Sequence, residues 1–347
     1  MDDSPRLTKS RKQDHIEINL RKDVQSTLRT GFDRYHFEHN PLPEIDLRNV
    51  STVCSFLGKT VKAPILISSM TGGTSEGLTI NRNLAEAAEL RGIALALGSG
   101  RAGLDSEEAA RTYQLRQWAP SIPIYANLGA IQLNNGCGVE ECKRVVDMAG
   151  ADALILHFNS LQEALQPEGQ TNFAGLLAKI EVVCKELMVP VIAKEVGWGI
   201  NANAAKNLVN AGVACIDVAG AGGTSWSEVE KHRNSSEERI RISSHFQDWG
   251  LPTADAVREV SIALPKVPLI ASGGLRKGLD IAKCLALGAS MGGIAGGFLK
   301  AATQSSEEVV KLIDELLLEL RIVMFGVGAG TIEHMKQTPI YEAHLHD

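Results

Sequence analysis

Between positions 157 and 168 the chain reads HFNSLQEALQPE, and His157, Asn159, Gln162, Glu163, Gln166 and Glu168 crowd strongly polar side chains into a dozen positions. They follow directly on an apolar run. A turn needs Gly, Pro, Asn or Asp; it has no use for an imidazole, two glutamines and two carboxylates. Glu163 is the candidate metal ligand, because a hard ion such as Mg²⁺ binds through one or two carboxylates together with substrate phosphates. His157, at a strand end, is a candidate ligand-binding group. Gln162 does not titrate near neutral pH, so it would orient a group or relay through hydrogen bonds, with the proton carried elsewhere. Lys194 lies within the apolar run VPVIAKEVG, where a charge is costly unless paired. Three roles are open to it: a Schiff base, an ammonium that holds a negative cofactor group, or a partner for Glu195.

Such groups need a scaffold that brings them together. Eight apolar segments recur from residue 63 onward: APILISSM, IALALG, IPIYANLG, ADALILHF, VPVIAKEVG, ACIDVAG, VPLIASGG and SMGGIAGG. Helical patterns separate nearly all neighbours. Near-continuous apolar strands alternating with amphipathic helices indicate a parallel sheet buried on both faces. Gly92, Gly150, Gly212 and Gly288 stand where helices would end in the left-handed conformation. The expected fold is an α/β (β/α)₈ barrel over residues 61–325. A doubly wound sheet would require a GxGxxG fingerprint after its first strand, and SSMTGGTSEG does not supply it.

Residues 1–60 read as a polar, irregular N-terminal extension that folds over the site, and 326–347 as a C-terminal tail. The stretch 221–250 is charged and poor in aliphatic residues, which reads as a mobile lid loop over the C-terminal face. The segment SSEEVVKLIDELLLELRIVMF carries a capping box at Ser305 and Glu308. Its apolar positions 309, 312, 313, 316, 317 and 320 form a core stripe, so this helix reads as purely structural.

Bulk properties narrow the function. The 347 residues are 44% hydrophobic but only 5% aromatic, so the core is aliphatic. A net charge of -6 lacks the basic face of a nucleic-acid binder. No stretch reaches the roughly 18 apolar residues of a membrane span, and the polar N-terminus lacks a signal-peptide core. Six cysteines without CxxC spacing read as reduced thiols of a cytoplasmic protein, with Cys184, Cys215 and Cys284 as small buried hydrophobes.

In such a barrel the active site lies at the C-terminal ends of the strands. Those ends carry, in order, Ser69-Met70-Thr71-Gly72-Gly73, Gly98-Ser99-Gly100-Arg101, Asn127-Leu128-Gly129, His157-Phe158-Asn159, Lys194-Glu195, Gly220 to Ser225, Ser272-Gly273-Gly274-Leu275-Arg276 and Ala295-Gly296-Gly297. The glycine-rich loops after strands 7 and 8 suit a phosphate, which backbone N–H groups can wrap. A phosphate-bearing cofactor is expected there. Arg11 and Lys12, in SRKQDHI, would suit an anionic substrate if the N-terminus closes over the site.

The segments RKQDHI, SSMTGGT, GSGRA, ANLGA, HFNSLQEALQPEGQTNF, AKEVGWGI, DVAGAGGTSW and SGGLRKG run in this order from residue 11 to about 300. This set resembles the flavin-dependent type 2 isopentenyl-diphosphate isomerases. The resemblance implies interconversion of isopentenyl and dimethylallyl diphosphate, within isoprenoid biosynthesis. It implies FMN in reduced form, Mg²⁺, and NADPH as reductant, with no net redox change. It implies FMN contacts at Ser69, Met70, Thr71, Ser99, Asn127, Lys194, Thr224, Gly273, Gly274, Arg276, Ala295 and Gly296. It places the substrate diphosphate near Arg11, Lys12, Arg101, His157 and Gln162, and makes Glu163 the Mg²⁺ ligand. Gln162, Lys194 and His157 are the residues it assigns to catalysis, with Gln162 beside the reacting carbons and Lys194 stabilising the anionic reduced flavin. A homo-oligomer, tetramer or octamer, is also implied. Two positions depart from the family pattern: Gly100 stands where Gln is frequent, and Ala219 where Ser is.

The nearest competing reading is an FMN-dependent 2-hydroxy-acid oxidoreductase, which needs an HGGR-like run after strand 6; the chain has GAGGTSW there. An IMP dehydrogenase-like enzyme needs a cysteine in that loop, and none is present. A non-catalytic flavin-binding barrel would have lost the polar set after strand 4, which is intact.

Overall fold

The computed structural model describes residues 5–343, with side chains from residue 12 onward. All eight apolar segments form strands: β1 (Ile65–Ile67), β2 (Ala94–Ala96), β3 (Ile124–Gly129), β4 (Ala153–Phe158), β5 (Val191–Glu195), β6 (Cys215–Asp217), β7 (Leu269–Ser272) and β8 (Met291–Ile294). They close into one parallel barrel, β8 pairing back onto β1. Six strands are buried at every residue. Only β4 and β5 open toward solvent, and only at their last residues, His157, Phe158 and Glu195. Helices sheathe the barrel, so each strand is covered on both faces and can be apolar throughout. Gly92, Gly150, Gly212 and Gly288 all take positive φ at the helix ends.

The register sets the site. His157 of β4 pairs across to Lys194 of β5, and Lys194 pairs across to Asp217 of β6. On the other side Gly129 of β3 sits beside His157. These residues therefore share one level near the C-terminal rim.

Three regions differ from the sequence expectation. Residues 1–60 are not irregular throughout. Pro5–Arg21 is a helix of 17 residues, and Cys54–Phe56 pairs antiparallel with Lys59–Val61. Its sequence carries no regular apolar stripe to betray it; among its described side chains Ile16 is buried, while Lys12 and His15 make polar contacts with the rest of the chain. The 221–250 stretch is not a loop but two short helices, Trp226–Arg233 and Glu237–Ser244. They bury Ser227, Glu228, Val229, Glu230 and Ser243, a mostly polar set that a hydrophobic pattern cannot reveal. Residues 326–347 are not simply a tail: Ile332–Gln337 is helical, and Ile340–Glu342 pairs antiparallel with Tyr35–Phe37. The two ends of the chain are thus tied together.

The Ser306–Gly326 helix is capped as expected at one half of the box, Ser305 accepting from the Glu308 N–H. Glu308 itself turns away to Lys311. Val309, Ile313, Leu316 and Leu320 are buried, while Leu312 and Leu317 are only partly so. No disulfide forms, and Cys184 is half-buried rather than core. Among the described residues no helix is long and apolar enough to cross a membrane.

The 54–61 hairpin packs under the N-terminal end of the barrel. Phe56 is 3% exposed, and its ring lies 6.3 Å from that of Tyr125, near the start of β3. Phe56→Ala should lower stability by about 3 kcal/mol through the lost burial and the cavity left behind. A urea midpoint that falls while the flavin titration is unchanged is the expected result, because the cavity described next opens at the opposite end.

Candidate active site

One cavity of about 870 Å³ opens at the C-terminal ends of the strands. Every site residue expected from the sequence, Arg11 apart, contributes to its wall. That includes Lys12, Ser69, Met70, Thr71, Ser99, Arg101, Asn127, His157, Gln162, Glu163, Lys194, Thr224, Gly273, Gly274, Arg276, Ala295 and Gly296. The Arg11 side chain lies outside the described residues. Leu312 and Leu316 also line the cavity, so the Ser306–Gly326 helix is more than scaffold.

The floor is built around a buried cation. Lys194 is 8% exposed. Its ammonium lies 3.4 Å from a carboxylate oxygen of Asp217, a residue fully buried in the barrel. It donates to the Glu195 carbonyl at 2.9 Å and to Ser272 Oγ at 3.4 Å. Ser272 in turn donates to the other Asp217 oxygen at 2.6 Å. The pairing with the Glu195 carboxylate, one of the three roles open to Lys194, is not what forms. That carboxylate instead accepts four successive backbone N–H groups, from Val196, Gly197, Trp198 and Gly199, at 2.5 to 3.1 Å. Burial pushes its pKa up to about 7 against the pull of those N–H groups and of Lys194. Glu195 thereby fixes the turn that carries Val196 and Gly197 to the cavity wall. Beside this floor, His157 Nδ1 lies 2.7 Å from Asn127 Oδ1, and Asn127 donates to Ser69 Oγ at 2.8 Å.

The polar segment after β4 forms a short helix, Ser160–Leu165. Of the groups that the sequence singled out there, Glu168 alone is exposed. Gln162, Glu163 and Gln166 are each at most 8% exposed. Glu163 accepts from Asn159 Nδ2 at 2.9 Å, from Gln166 Nε2 at 2.6 Å and from the Gln170 N–H at 2.7 Å. Gly169 makes the last bond reachable: a Cβ there would stand 1.7 Å from the Glu163 carbonyl oxygen. Three N–H donors thus fix the orientation of this buried carboxylate.

Glu230, a residue the sequence reading passed over, holds the rest. It is fully buried on the Trp226–Arg233 helix. It accepts from Gln162 Nε2 at 2.9 Å and from Arg233 at 2.6 Å, and its Oε1 lies 3.1 Å from His15 Nε2. Burial raises its pKa, but His15, Arg233 and Gln162 outweigh that, and the net shift is downward. The His15 ring stands edge-on to Trp226, with centroids 5.0 Å apart. The N-terminal helix thus crosses the cavity mouth. Beyond it, Ser26 N–H donates to the Gly223 carbonyl, and Arg276 donates to Gln25 at 2.6 Å. Arg101 is drawn to Gln132, which also reaches Gln170. A sequence signal was available for Asp217, a lone carboxylate in the apolar run ACIDVAG, whereas Glu230 sits in a charged run that gives none.

A flavin mononucleotide fits this wall. The hydroxyls of Ser68 and Thr71 are buried at the cavity without a hydrogen-bond partner, which is costly unless a ligand supplies one. At the β8 end, a Cβ on Gly296 would meet nothing within 4 Å, so a phosphate has room against the first N–H groups of the following helix. At Gly274 the backbone has φ +78° and lies against the Gly222 carbonyl, a conformation and closeness that need glycine. Among the described residues no three His, Cys, Asp or Glu side chains gather to hold a metal.

A family model described as FMN-dependent dehydrogenase matches residues 140–342. A protein named isopentenyl-diphosphate delta-isomerase from Oceanobacillus iheyensis is 48% identical over 329 residues, covering 94% of each chain. Its namesake from Nostoc sp. is 48% identical over 332 residues, covering 95% of each. The one from Rickettsia africae is 48% identical over 330 residues, covering 95% of this chain and 96% of the relative. Among solved structures, a flavocytochrome B2 mutant superposes with TM-score 0.68 at 17% identity, covering 94% of this chain and 82% of that one. A mandelate oxidase mutant with benzaldehyde gives TM-score 0.66 at 18% identity, covering 96% and 95%. At such identities these two speak for the fold alone. The FMN-dependent match makes FMN the flavin for this cavity, and the chain belongs to the isopentenyl-diphosphate delta-isomerase family, built on the barrel of the FMN-dependent dehydrogenases.

Proposed function

We propose that the protein interconverts isopentenyl and dimethylallyl diphosphate, with FMN in reduced form, Mg²⁺ bound with the substrate, and NADPH as the reductant that readies the flavin. The observation that carries this reading is the buried amide-and-carboxylate set of Asn159, Gln162, Glu163 and Gln166 at a flavin-sized cavity, in a chain 48% identical to isomerases over nearly its full length. Moving a double bond by one carbon requires a proton delivered to one carbon and another removed nearby. Reduced FMN supplies an acid–base group at its N5 edge. The protein's part is to bind, orient and exclude water.

Lys194 holds a positive charge at the cavity floor, where it stabilises negative charge on the flavin side, and Asp217 and Ser272 keep that ammonium in place. Asn127 fixes the ring of His157 toward the anionic substrate. Gln162 cannot hold a proton itself; its amide is oriented by Glu230, which also faces His15. Lys12 and Arg101 meet the diphosphate from the mouth. Glu163 is a lone carboxylate, and a Mg²⁺ ion held by it would take its other oxygens from the diphosphate and water. The Asn159 Oδ1 beside it is buried without a hydrogen-bond partner and is a further oxygen donor for such an ion. A 2-hydroxy-acid oxidation would call for a histidine base late in the barrel; the loop from 220 to 225 carries none.

Anaerobic incubation of the protein with FMN, NADPH, Mg²⁺ and isopentenyl diphosphate should yield dimethylallyl diphosphate. Omission of flavin or of reductant should abolish it. A flavin-loaded protein that makes no product would overturn the isomerase reading in favour of the oxidoreductase. Lys194→Ala should lower turnover at saturating FMN by about 10²-fold or more while the far-UV circular dichroism stays native. Near-normal turnover would remove Lys194 from the mechanism. Glu163→Gln should raise the Mg²⁺ concentration for half-maximal activity by about tenfold or more, since a neutral amide binds a hard cation weakly. An unchanged Mg²⁺ dependence would exclude Glu163 as ligand.

A further inference from the structure

Tyr113 stands away from the cavity wall, yet three parts of the site converge on it. It is 1% exposed. Its hydroxyl donates to the Ser99 carbonyl at 2.6 Å. With that proton committed, the phenol oxygen offers its lone pairs, and Lys12 Nζ donates to it at 2.7 Å and to the same Ser99 carbonyl at 3.0 Å. The ammonium also lies 5.5 Å from the centroid of the Tyr113 ring, within range of a cation–π attraction. The β1 loop lies flat on the same ring: a Cβ on Gly72 would stand 2.4 Å from it. The adjacent Gly73 N–H donates to Thr112 Oγ1 at 2.7 Å. One buried phenol therefore joins the N-terminal helix, the β1 loop that carries Ser69 to Thr71, and the β2 loop that carries Ser99.

We propose that Tyr113 is a positioning residue that fixes the Lys12 ammonium at the cavity mouth for a diphosphate ligand. This deepens the reading of the cavity as a diphosphate site and rests on it. A lysine on a four-carbon stem has many rotamers, and ordering it costs entropy at the moment of binding. Two oxygens held rigidly by the barrel remove that freedom beforehand. Neither oxygen is charged, since burial keeps the phenol neutral, so the fixing contacts do not cancel the lysine's charge. Among the described side chains of the N-terminal helix only Ile16 is buried, so the paired contacts of Lys12 with Tyr113 and Ser99 are what set where its cation stands.

Tyr113→Phe keeps the ring and removes the oxygen. In the full-length, flavin-loaded protein with Mg²⁺, both KM for isopentenyl diphosphate and Kd for inorganic pyrophosphate by calorimetry should rise about tenfold. Meanwhile kcat and the bound-flavin spectrum should stay within about twofold of the unmodified protein. Lys12→Met should raise both constants at least as much, and adding Tyr113→Phe to it should cause no further loss. Unchanged KM and Kd in Tyr113→Phe, or losses that multiply independently in the double variant, would overturn the proposal. If the unmodified protein turned over no isopentenyl diphosphate, the isomerase reading would fall, while the pyrophosphate comparison would still decide the role of Tyr113.

Discussion

The buried pair of Lys194 and Asp217 is the constraint around which the barrel interior is arranged. Two charges in a dry interior lose several kcal/mol each in hydration, and their attraction compensates only with good geometry and further hydrogen bonds. The parallel register provides both. It sets Lys194 beside Asp217 across β5 and β6, and Ser272 from β7 completes the triangle. Replacing the pair by apolar side chains would give an ordinary barrel core. A cation kept at this depth, with its ammonium still on the cavity wall, makes sense for a floor that must meet negative charge.

The mouth is governed by a second buried carboxylate. Glu230 gathers Gln162, His15 and Arg233, so that one residue connects the β4 segment, the N-terminal helix and the 226–233 helix. Arg233 continues outward to Glu168 at 2.5 Å. The closing elements are thus polar pieces docked by directional contacts. Such contacts specify position sharply, because each buried donor or acceptor left unmatched carries a full desolvation cost. They contribute less net stability than apolar burial does, which leaves the mouth as the part of the molecule easiest to open and the barrel as the part that holds it.

This division explains what could be read from the sequence. The eight strands were legible because a strand buried on both faces must be apolar along its length. The rim residues were legible because the barrel assigns them by position. The N-terminal helix and the pair 226–233 and 237–244 were not, because hydrophobic periodicity reports apolar burial and these helices bury mainly serine and glutamate, with Ile16 and Val229 as isolated apolar positions. Lys194 was recognised as a charge in need of a partner, but Glu195, its neighbour in sequence, turned to four backbone N–H groups. The true partner, Asp217, lay in the run ACIDVAG, itself a lone carboxylate in an apolar strand. Two opposite charges stranded in consecutive strands of a parallel barrel are a pairing signal, since adjacent parallel strands place equivalent positions side by side.

The same barrel in mandelate oxidase and flavocytochrome B2 shares under a fifth of its residues with this chain, so the scaffold alone does not choose the reaction. What bears on the reaction is the lining of this chain's own cavity. Among the buried side chains of the wall, the amides Asn127, Asn159, Gln132, Gln162 and Gln166 outnumber the titratable Glu163 and Lys194. Amides donate and accept without changing charge over the working pH range, so they hold carboxylates and imidazole in fixed orientations and add no competing bases of their own. A hydride-removing oxidase needs a strong base aimed at its substrate. A site that moves a double bond must protonate and deprotonate nearly unactivated carbon, and it gains from a dry, neutral lining in which the few ionised groups act undiluted by water. The fold itself does not require the buried amides and carboxylate after β4, which stand at the cavity rather than in the barrel core.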